Sequence, residues 1–554
     1  MGRVLPLPLL LLLLLGLLPR TAHAAATSAL ANCTGFDCLH AYVHAPDPHY
    51  SWVDTGLRVN GTGLESKHKW TGYILNMTSQ HWLTPADSDR SIWTHLLVVV
   101  VPDNFDPSDT TTNTFGSMYM TGGCVDDKPP TAASEDLLVS AYLATHTASI
   151  TSTLFSIPSC PITFAADPSH KHRYEDAIIA FTWSHFHDHP DEPEWLLRMP
   201  MTKGGVRGLD TMAAFANTLY PGVHLERFAV AGASKRGWTT WTVAAVDDRV
   251  VAAVPIVMDV WNAVENLHHH YKAYGGWTFA FKDYWELNFT AHLDSASTQK
   301  MFDIIDPTNY PKTRLQMPKL AINAGGDEFL LPDDTTFWWH EMQGKNDFLM
   351  IPNAEHSEAS GVLELLPAVA TFLRGIQRGM DATARPAINW TIAEGSGDIV
   401  VRLLTPAHTP IKVSAWSATT ANGRRRDFRL LNGDNQTQCR ADGGLFVKNM
   451  CANPKVLWKR RTLERGADGT WTATMAPPGD GKWGAFFVHF EFEGPDEEEA
   501  GKVGAGEPPP RLQRRLDWPI SVDGHYQMTT SVSVVPQTFP FADCHGEGCL
   551  GSLV

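Results

Sequence analysis

Between about residues 95 and 380, short segments apolar on both faces alternate with helix-like stretches, and this alternation constrains the chain more than any other feature. The β-rich segments are His95–Pro102, Thr114–Met120, Ala148–Ile157, Arg227–Ala231, Val250–Met258, Lys319–Ala324 and Asp347–Ile351. A strand apolar on both faces must be covered on both faces, the situation of a parallel sheet buried between helices. The stretches that would cover it are Glu135–Thr145, Tyr174–Phe186, Leu209–Leu219, Lys235–Val246 and Gly361–Arg378. The pattern predicts a doubly wound α/β sheet within residues 25–380, with 25–94 supplying early strands at its edge.

From Arg385 the texture changes to short alternating segments separated by Gly, Pro and Asn, such as Ile399–Leu404, Ile411–Ser417, Trp471–Met475, Trp483–Glu491 and Met528–Val535. That predicts an antiparallel β-sandwich domain over 385–540, followed by a tail, 541–554. Within it, the acidic, Gly/Pro-rich Gly494–Pro510 reads as a hairpin insertion. Two domains suit 554 residues, and 43% hydrophobic against 19% charged residues excludes a disordered chain or a coiled coil.

Residues 1–24 have the form of a secretory signal peptide: Arg3, a leucine-rich stretch from Leu5 to Leu18, and Ala22-His23-Ala24 as a cleavage site. N-x-S/T sequons at Asn32, Asn60, Asn76, Asn288, Asn389 and Asn435 agree with export. The cysteines fall into sequence-near couples, Cys33/Cys38, Cys124/Cys160, Cys439/Cys451 and Cys544/Cys549, and in an exported chain they are expected to pair as disulfides in that way. No apolar run elsewhere is long enough to span a bilayer, so no membrane anchor is expected in the mature chain. The formal charge, −16, argues against a nucleic-acid partner, which demands cations for phosphates.

The sharpest local feature is Arg227-Phe-Ala-Val-Ala-Gly-Ala-Ser-Lys-Arg-Gly-Trp238, a β-rich strand that runs through Gly232-Ala233-Ser234 into a helix. A serine flanked by small residues at a strand-to-helix turn is the nucleophile-elbow context of α/β-hydrolases, although the second glycine stands one place later than usual, with Arg236 in its stead. A plain helix N-cap would show the same Gly-x-Ser. Partners follow in the order such enzymes require: Lys319–Ala324 leads to Asp327, and Asp347–Ile351 leads to His356. Glu328, Asp333, Asp334 and Asp259 compete with Asp327 as the acid.

For an oxyanion hole the Lys235 amide is one donor, and a second is expected from Gly122 or Gly123 after an earlier strand. Trp238, Asp259 and Trp261 are expected to line the substrate approach, and Lys235 with Arg236 would place cations near it. His185, His187 and His189, and the run His268–His270, raise a metal alternative, but their spacing matches no ligand signature and no metal is expected.

The chain resembles the PhoPQ-activated pathogenicity-related family in Tyr174–Trp183, Glu194–Lys203, Gly232–Trp238, Asn323–Phe329, Pro352–His356 and Arg426–Arg429. The similarity runs from about residue 50 to 540, departing at His185–His189 and at the insertion near 495. It implies an exported α/β-hydrolase-type protein with serine, aspartate and histidine at 234, 327 and 356. The Gly-x-Ser-Lys-x-Gly spacing is also similar to glucuronoyl-type carbohydrate esterases, at that motif alone. The expected activity is a secreted, cofactor-independent serine hydrolase acting on an ester or amide in a small molecule, peptide or glycan. The alternative, which the resemblance to a family with a proliferation-repressing member implies, is a secreted signalling protein that keeps the fold and binds a cell-surface receptor.

Overall fold

A computed structural model describes residues 30, 32–380, 384–433, 436–441, 443–447, 450–495 and 524–554. The segment 1–24 expected to be a signal peptide, Asn435 and most of the Gly494–Pro510 insertion lie outside the described residues.

The central sheet comprises β1 (Ser51–Thr62), β2 (Lys69–His81), β3 (Ile92–Pro102), β4 (Phe115–Met120), β5 (Ile150–Leu154), β6 (Arg227–Ala233), β7 (Val250–Ile256), β8 (Lys319–Ala324) and β9 (Asn346–Ile351). Their order is β1-β2-β3-β5-β4-β6-β7-β8-β9. β1, β2 and β3 pair antiparallel, and from β5 across to β9 the strands run parallel. The order reverses between β4 and β6, which opens a crevice outside the carboxyl ends of those strands. β6 ends there, at Ala233, immediately before Ser234.

Alternate residues of β6 face opposite sides. Phe228 and Val230 enter one core, with helices Arg198–Leu219 and Lys235–Val246, while Ala229 and Ala231 enter the other, under Glu135–Thr147 and Val362–Gln377. Each large aliphatic side chain buried this way contributes about 1.5–3 kcal/mol relative to exposure. The helix Arg198–Leu219 begins well before Leu209, where the sequence pattern alone placed its start. Its first turns hold Pro200, Gly204, Gly205 and Gly208, a composition poor in intrinsic helix formers. Packing explains them: a Cβ on Gly205 would stand 2.6 Å from Val243 Cγ2, and one on Gly208 2.8 Å from Met118 Sδ.

The C-terminal part adds β10 (Ile388–Ile392), β11 (Ile399–Leu403), β12 (Pro410–Thr419), β13 (Leu431–Asn432), β14 (Leu445–Val447), β15 (Met450–Ala452), β16 (Lys459–Thr462), β17 (Trp471–Ala473), β18 (Gly484–Glu493), β19 (His525–Thr529) and β20 (Ser533–Val535). One sheet is β10-β11-β17; a second is β16-β12-β18-β19 with β20 on β18. A common core holding Val401, Trp471, Val413 and Phe490 joins these two as a sandwich. Residues 541–554 are no loose tail: Trp277 donates from its amide to Ser552 and from its indole to Cys549. The four disulfides are Cys33–Cys38, Cys124–Cys160, Cys439–Cys451 and Cys544–Cys549. Among the described residues, no helix is long and apolar enough to cross a membrane. The sequon asparagines Asn32, Asn60, Asn76, Asn288 and Asn389 are all exposed.

Candidate active site

Ser234 stands between β6 and the helix Lys235–Val246 with φ 57° and ψ −126°, a conformation costly for any residue with a Cβ. The surrounding turn over-determines it. The Ser234 amide donates to Ile256 O at 2.9 Å, and Ser234 O accepts from Trp238 N at 3.0 Å. A Cβ at Gly232 would fall 2.7 Å from Arg236 O, and one at Gly237 2.7 Å from Ile256 O. Glycine at 237 therefore serves the helix's approach to β7. Arg236, at the position where the usual motif has glycine, donates to Ile157 O and Glu175 Oε1.

Ser234 Oγ lies 2.8 Å from His356 Nε2, and His356 Nδ1 lies 2.7 Å from Asp327 Oδ2. Asp327 Oδ1 accepts from the amides of Phe329 (2.7 Å) and Leu330 (3.0 Å), which fixes the carboxylate against the imidazole. Burial disfavours the imidazolium, but the Asp327 carboxylate and its hydrogen bond outweigh it, and the His356 pKa is raised above its ordinary value.

The competing acids are otherwise engaged. Glu328 Oε2 accepts from the His356 amide at 2.8 Å, and burial followed by the charge of Asp327 pushes its carboxyl up to about 7. Asp333 pairs with Arg426 and His269, and Asp334 accepts from Leu331 N. Asp259 sits behind the site, bonded to Asn323 Nδ2 at 2.5 Å, with burial and Asp327 raising its pKa.

A narrow, largely apolar cavity of ≈ 60 Å³ opens beside Ser234 and His356. Trp183, Trp238, Phe281, Tyr284 and Phe329 form much of its wall, Trp238 as expected. Asp259 and Trp261 do not reach it; their neighbours Met258 and Val260 do. Trp261 is fully buried and packs edge-on against Trp238 with ring centroids 5.1 Å apart. Gly122 and Gly123 line a different depression with His95 and Asn76. Gly122 backs the Arg236 guanidinium, and β4 runs in register with β6 as far as Met120 opposite Gly232, two residues before Gly122 on one strand and Ser234 on the other.

The expected cations are neutralised. Lys235 Nζ lies 3.1 Å from Glu175 Oε2 and 3.0 Å from Asp176 Oδ2, and Arg236 Nη2 lies 2.6 Å from Glu175 Oε1. Burial opposes ionisation of Glu175, but Arg236 and Lys235 hold it down at about 2. Sequence reading missed these acids, although Glu175 and Asp176 fall within the Tyr174–Trp183 segment that carries the family resemblance.

Among the described residues, those lining the cavity all precede Ser357, and none belongs to the C-terminal sheets. They brace its loops instead. Trp458 Nε1 donates to Gly325 O at 3.0 Å, and Asn353 bonds both the amide and carbonyl of Trp458, at 2.7 and 3.1 Å. One brace precedes Asp327 and the other precedes His356.

The histidine clusters diverge. His185 bonds Glu192, His187 bonds Ser297, and His268, His269 and His270 turn to Asp294 and Asp543, Asp333, and Thr278 N respectively. His268 lies near Cys544 and Cys549, but those sulfurs are bonded to each other and are unavailable as thiolate ligands; His268, Asp294 and His545 also approach one another.

The model of the PhoPQ-activated pathogenicity-related protein family matches residues 39–429. The chain is 33% identical over 514 residues to Autocrine proliferation repressor protein A of Dictyostelium discoideum, covering 91% of this chain and 92% of that protein. Similar solved structures include acetyl xylan esterase 1 from Thermoanaerobacterium sp. JW/SL YS485, at 14% identity and TM-score 0.37, over 61% of this chain and 95% of that one. Another is the acetyl xylan esterase from Paenibacillus sp. R4, at 12% identity and TM-score 0.39, over 60% and 92%.

Proposed function

The chain belongs to the PhoPQ-activated pathogenicity-related protein family, and from that premise we propose that it is a secreted serine hydrolase cleaving an ester or amide. The observation that carries this reading is the continuous hydrogen-bonded line Ser234 Oγ–His356 Nε2/Nδ1–Asp327 Oδ2 beside an apolar cavity. His356 takes the hydroxyl proton as Ser234 Oγ attacks the substrate carbonyl carbon, and Asp327 stabilises the imidazolium that forms. The Lys235 amide, at the start of its helix, donates to the oxyanion. Collapse of the tetrahedral species expels the alcohol or amine, which receives the proton from His356. Water activated by the same imidazole then attacks the acyl-enzyme, releasing the acid and restoring Ser234. The chain's own groups supply every step, and a cofactor has no part in it.

Export is supported by the signal-peptide form of residues 1–24, the disulfides and the exposed sequon asparagines, where glycans are proposed. A second reading, signalling through a cell-surface receptor, is favoured by the name of the 33% identical relative, a proliferation repressor. Purified wild-type and Ser234→Ala proteins separate the two when each is assayed on a panel of short-chain esters and amides and on cell proliferation. Turnover lost in the variant supports the hydrolase. A proliferation effect that survives in the variant, with no turnover by the wild type, supports receptor binding.

A further inference from the structure

Arg198 opens the helix Arg198–Leu219 and is only 1% exposed, yet it lines the cavity that holds Ser234. One of its nitrogens is occupied: Nη1 donates to Lys235 O at 2.6 Å and approaches Thr239 Oγ1 at 3.3 Å. Nε and Nη2 are buried without a hydrogen-bond partner. Asp176, the acid lining the same cavity, is taken by Tyr284 OH at 3.0 Å and Lys235 Nζ at 3.0 Å. Burial lowers the guanidinium's pKa only to about 10, so the group is charged at neutral pH. The Trp238 ring, 4.6 Å from Cζ, covers one face of the guanidinium and gives no acceptor to Nε or Nη2. A buried cation whose donors lack acceptors is costly, and an anion entering the cavity would remove that cost.

We propose that Arg198 is the anion-recognising residue of this cavity, and that the part of the substrate lodged beside Ser234 is a short apolar group bearing a carboxylate. The proposal rests on the hydrolase reading for the bond cleaved, but not for the binding. A planar guanidinium offers paired donors to a carboxylate, and the aromatic wall suits the carbon skeleton between that carboxylate and the reacting carbonyl. The cavity volume corresponds to about four to six water-sized groups, which matches a dicarboxylic half-ester better than a long acyl chain.

The test compares monomethyl succinate with dimethyl succinate, one anionic and one neutral, by methanol release from the wild type and by calorimetric binding to Ser234→Ala. The expected result is a preference for the anionic ester of at least tenfold in kcat/KM, and binding of monomethyl succinate that dimethyl succinate does not match. Arg198→Met should lower the kcat/KM ratio at least tenfold, and Arg198→Lys, which keeps a point charge, should lower it less. Equal use and equal binding of the two esters by protein carrying Arg198 overturns the proposal, whether or not Arg198→Met folds. Selective binding of monomethyl succinate to Ser234→Ala without methanol release from the wild type would leave the carboxylate site standing and show that this ester is not the bond cleaved; fluorophosphonate labelling of Ser234 then decides the hydrolase reading separately.

Discussion

Asp327 Oδ2 stands 2.7 Å from His356 Nδ1, and two backbone amides hold the carboxylate's other oxygen. The carboxylate therefore cannot rotate away without orphaning those donors. Asp327→Asn keeps the size and can present an amide N–H to Nδ1, which selects the wrong imidazole tautomer for accepting the serine proton. A loss of about 10³–10⁴-fold in kcat is expected, measured on whichever ester the wild type turns over.

The raised pKa of His356 fixes the sign of the pH dependence. The base must be neutral to accept the Ser234 proton, so kcat/KM should fall with acidification and begin to do so above pH 6.5. Asp327→Asn removes the charge that raises the pKa and should move this limb to lower pH. A limb at or below 6.5 in the wild type would contradict the electrostatics.

Glu328 makes a separate prediction about stability. Its carboxyl, raised to about 7 by burial and by Asp327, is protonated in the folded chain at pH 6 while the unfolded chain is largely ionised. Ionising it costs folding free energy that sets in above its ordinary pKa and is complete above about 7. Glu328→Gln keeps an acceptor for the His356 amide and removes the ionisation. Its unfolding midpoint should rise relative to wild type as pH goes from 5 to 8, by up to about 3 kcal/mol of stability.

Gly237→Ala tests the elbow's packing, since its Cβ would meet Ile256 O at 2.7 Å and Met258 Cβ at 2.8 Å. Backbone on one side and a core side chain on the other leave little to give way, and a loss of about 1–3 kcal/mol is expected by chemical denaturation. Gly548→Ala, with nothing within 4 Å, is the control and should be neutral.

Asn353→Gly tests the brace from the C-terminal sheets. Asn353 has φ 60°, which glycine adopts freely, so only the two bonds to Trp458 are removed. If those bonds hold the His356 loop in register, kcat should fall about tenfold or more while the fold is retained by circular dichroism. Unchanged kcat would confine the C-terminal sheets to a role away from catalysis.

What was legible in the sequence is what is encoded locally. The strand–turn–helix at Ser234 and the strand ends before Asp327 and His356 are short-range patterns of apolar runs and glycines, and the structure brings those three side chains together. The relationships that escaped depend on tertiary approach. Nothing in Lys235-Arg236 announces that Glu175 and Asp176, some sixty residues earlier, neutralise both. The early turns of Arg198–Leu219 were hidden because Gly205 and Gly208 are chosen for helix–core contact at the expense of helix propensity. Asp259 and Trp261 follow β7 in sequence as the cavity residues Met258 and Val260 do, and only the chain's turn after that strand decides which of them face inward.

The central claim is an activated Ser234, and an active-site-directed fluorophosphonate tests it most directly, read by intact mass and peptide mapping. Stoichiometric phosphonylation confined to Ser234, abolished in Ser234→Ala and strongly slowed in His356→Ala, is the predicted result. Folded, glycosylated protein that stays unmodified, or is modified equally without Ser234, would contradict it.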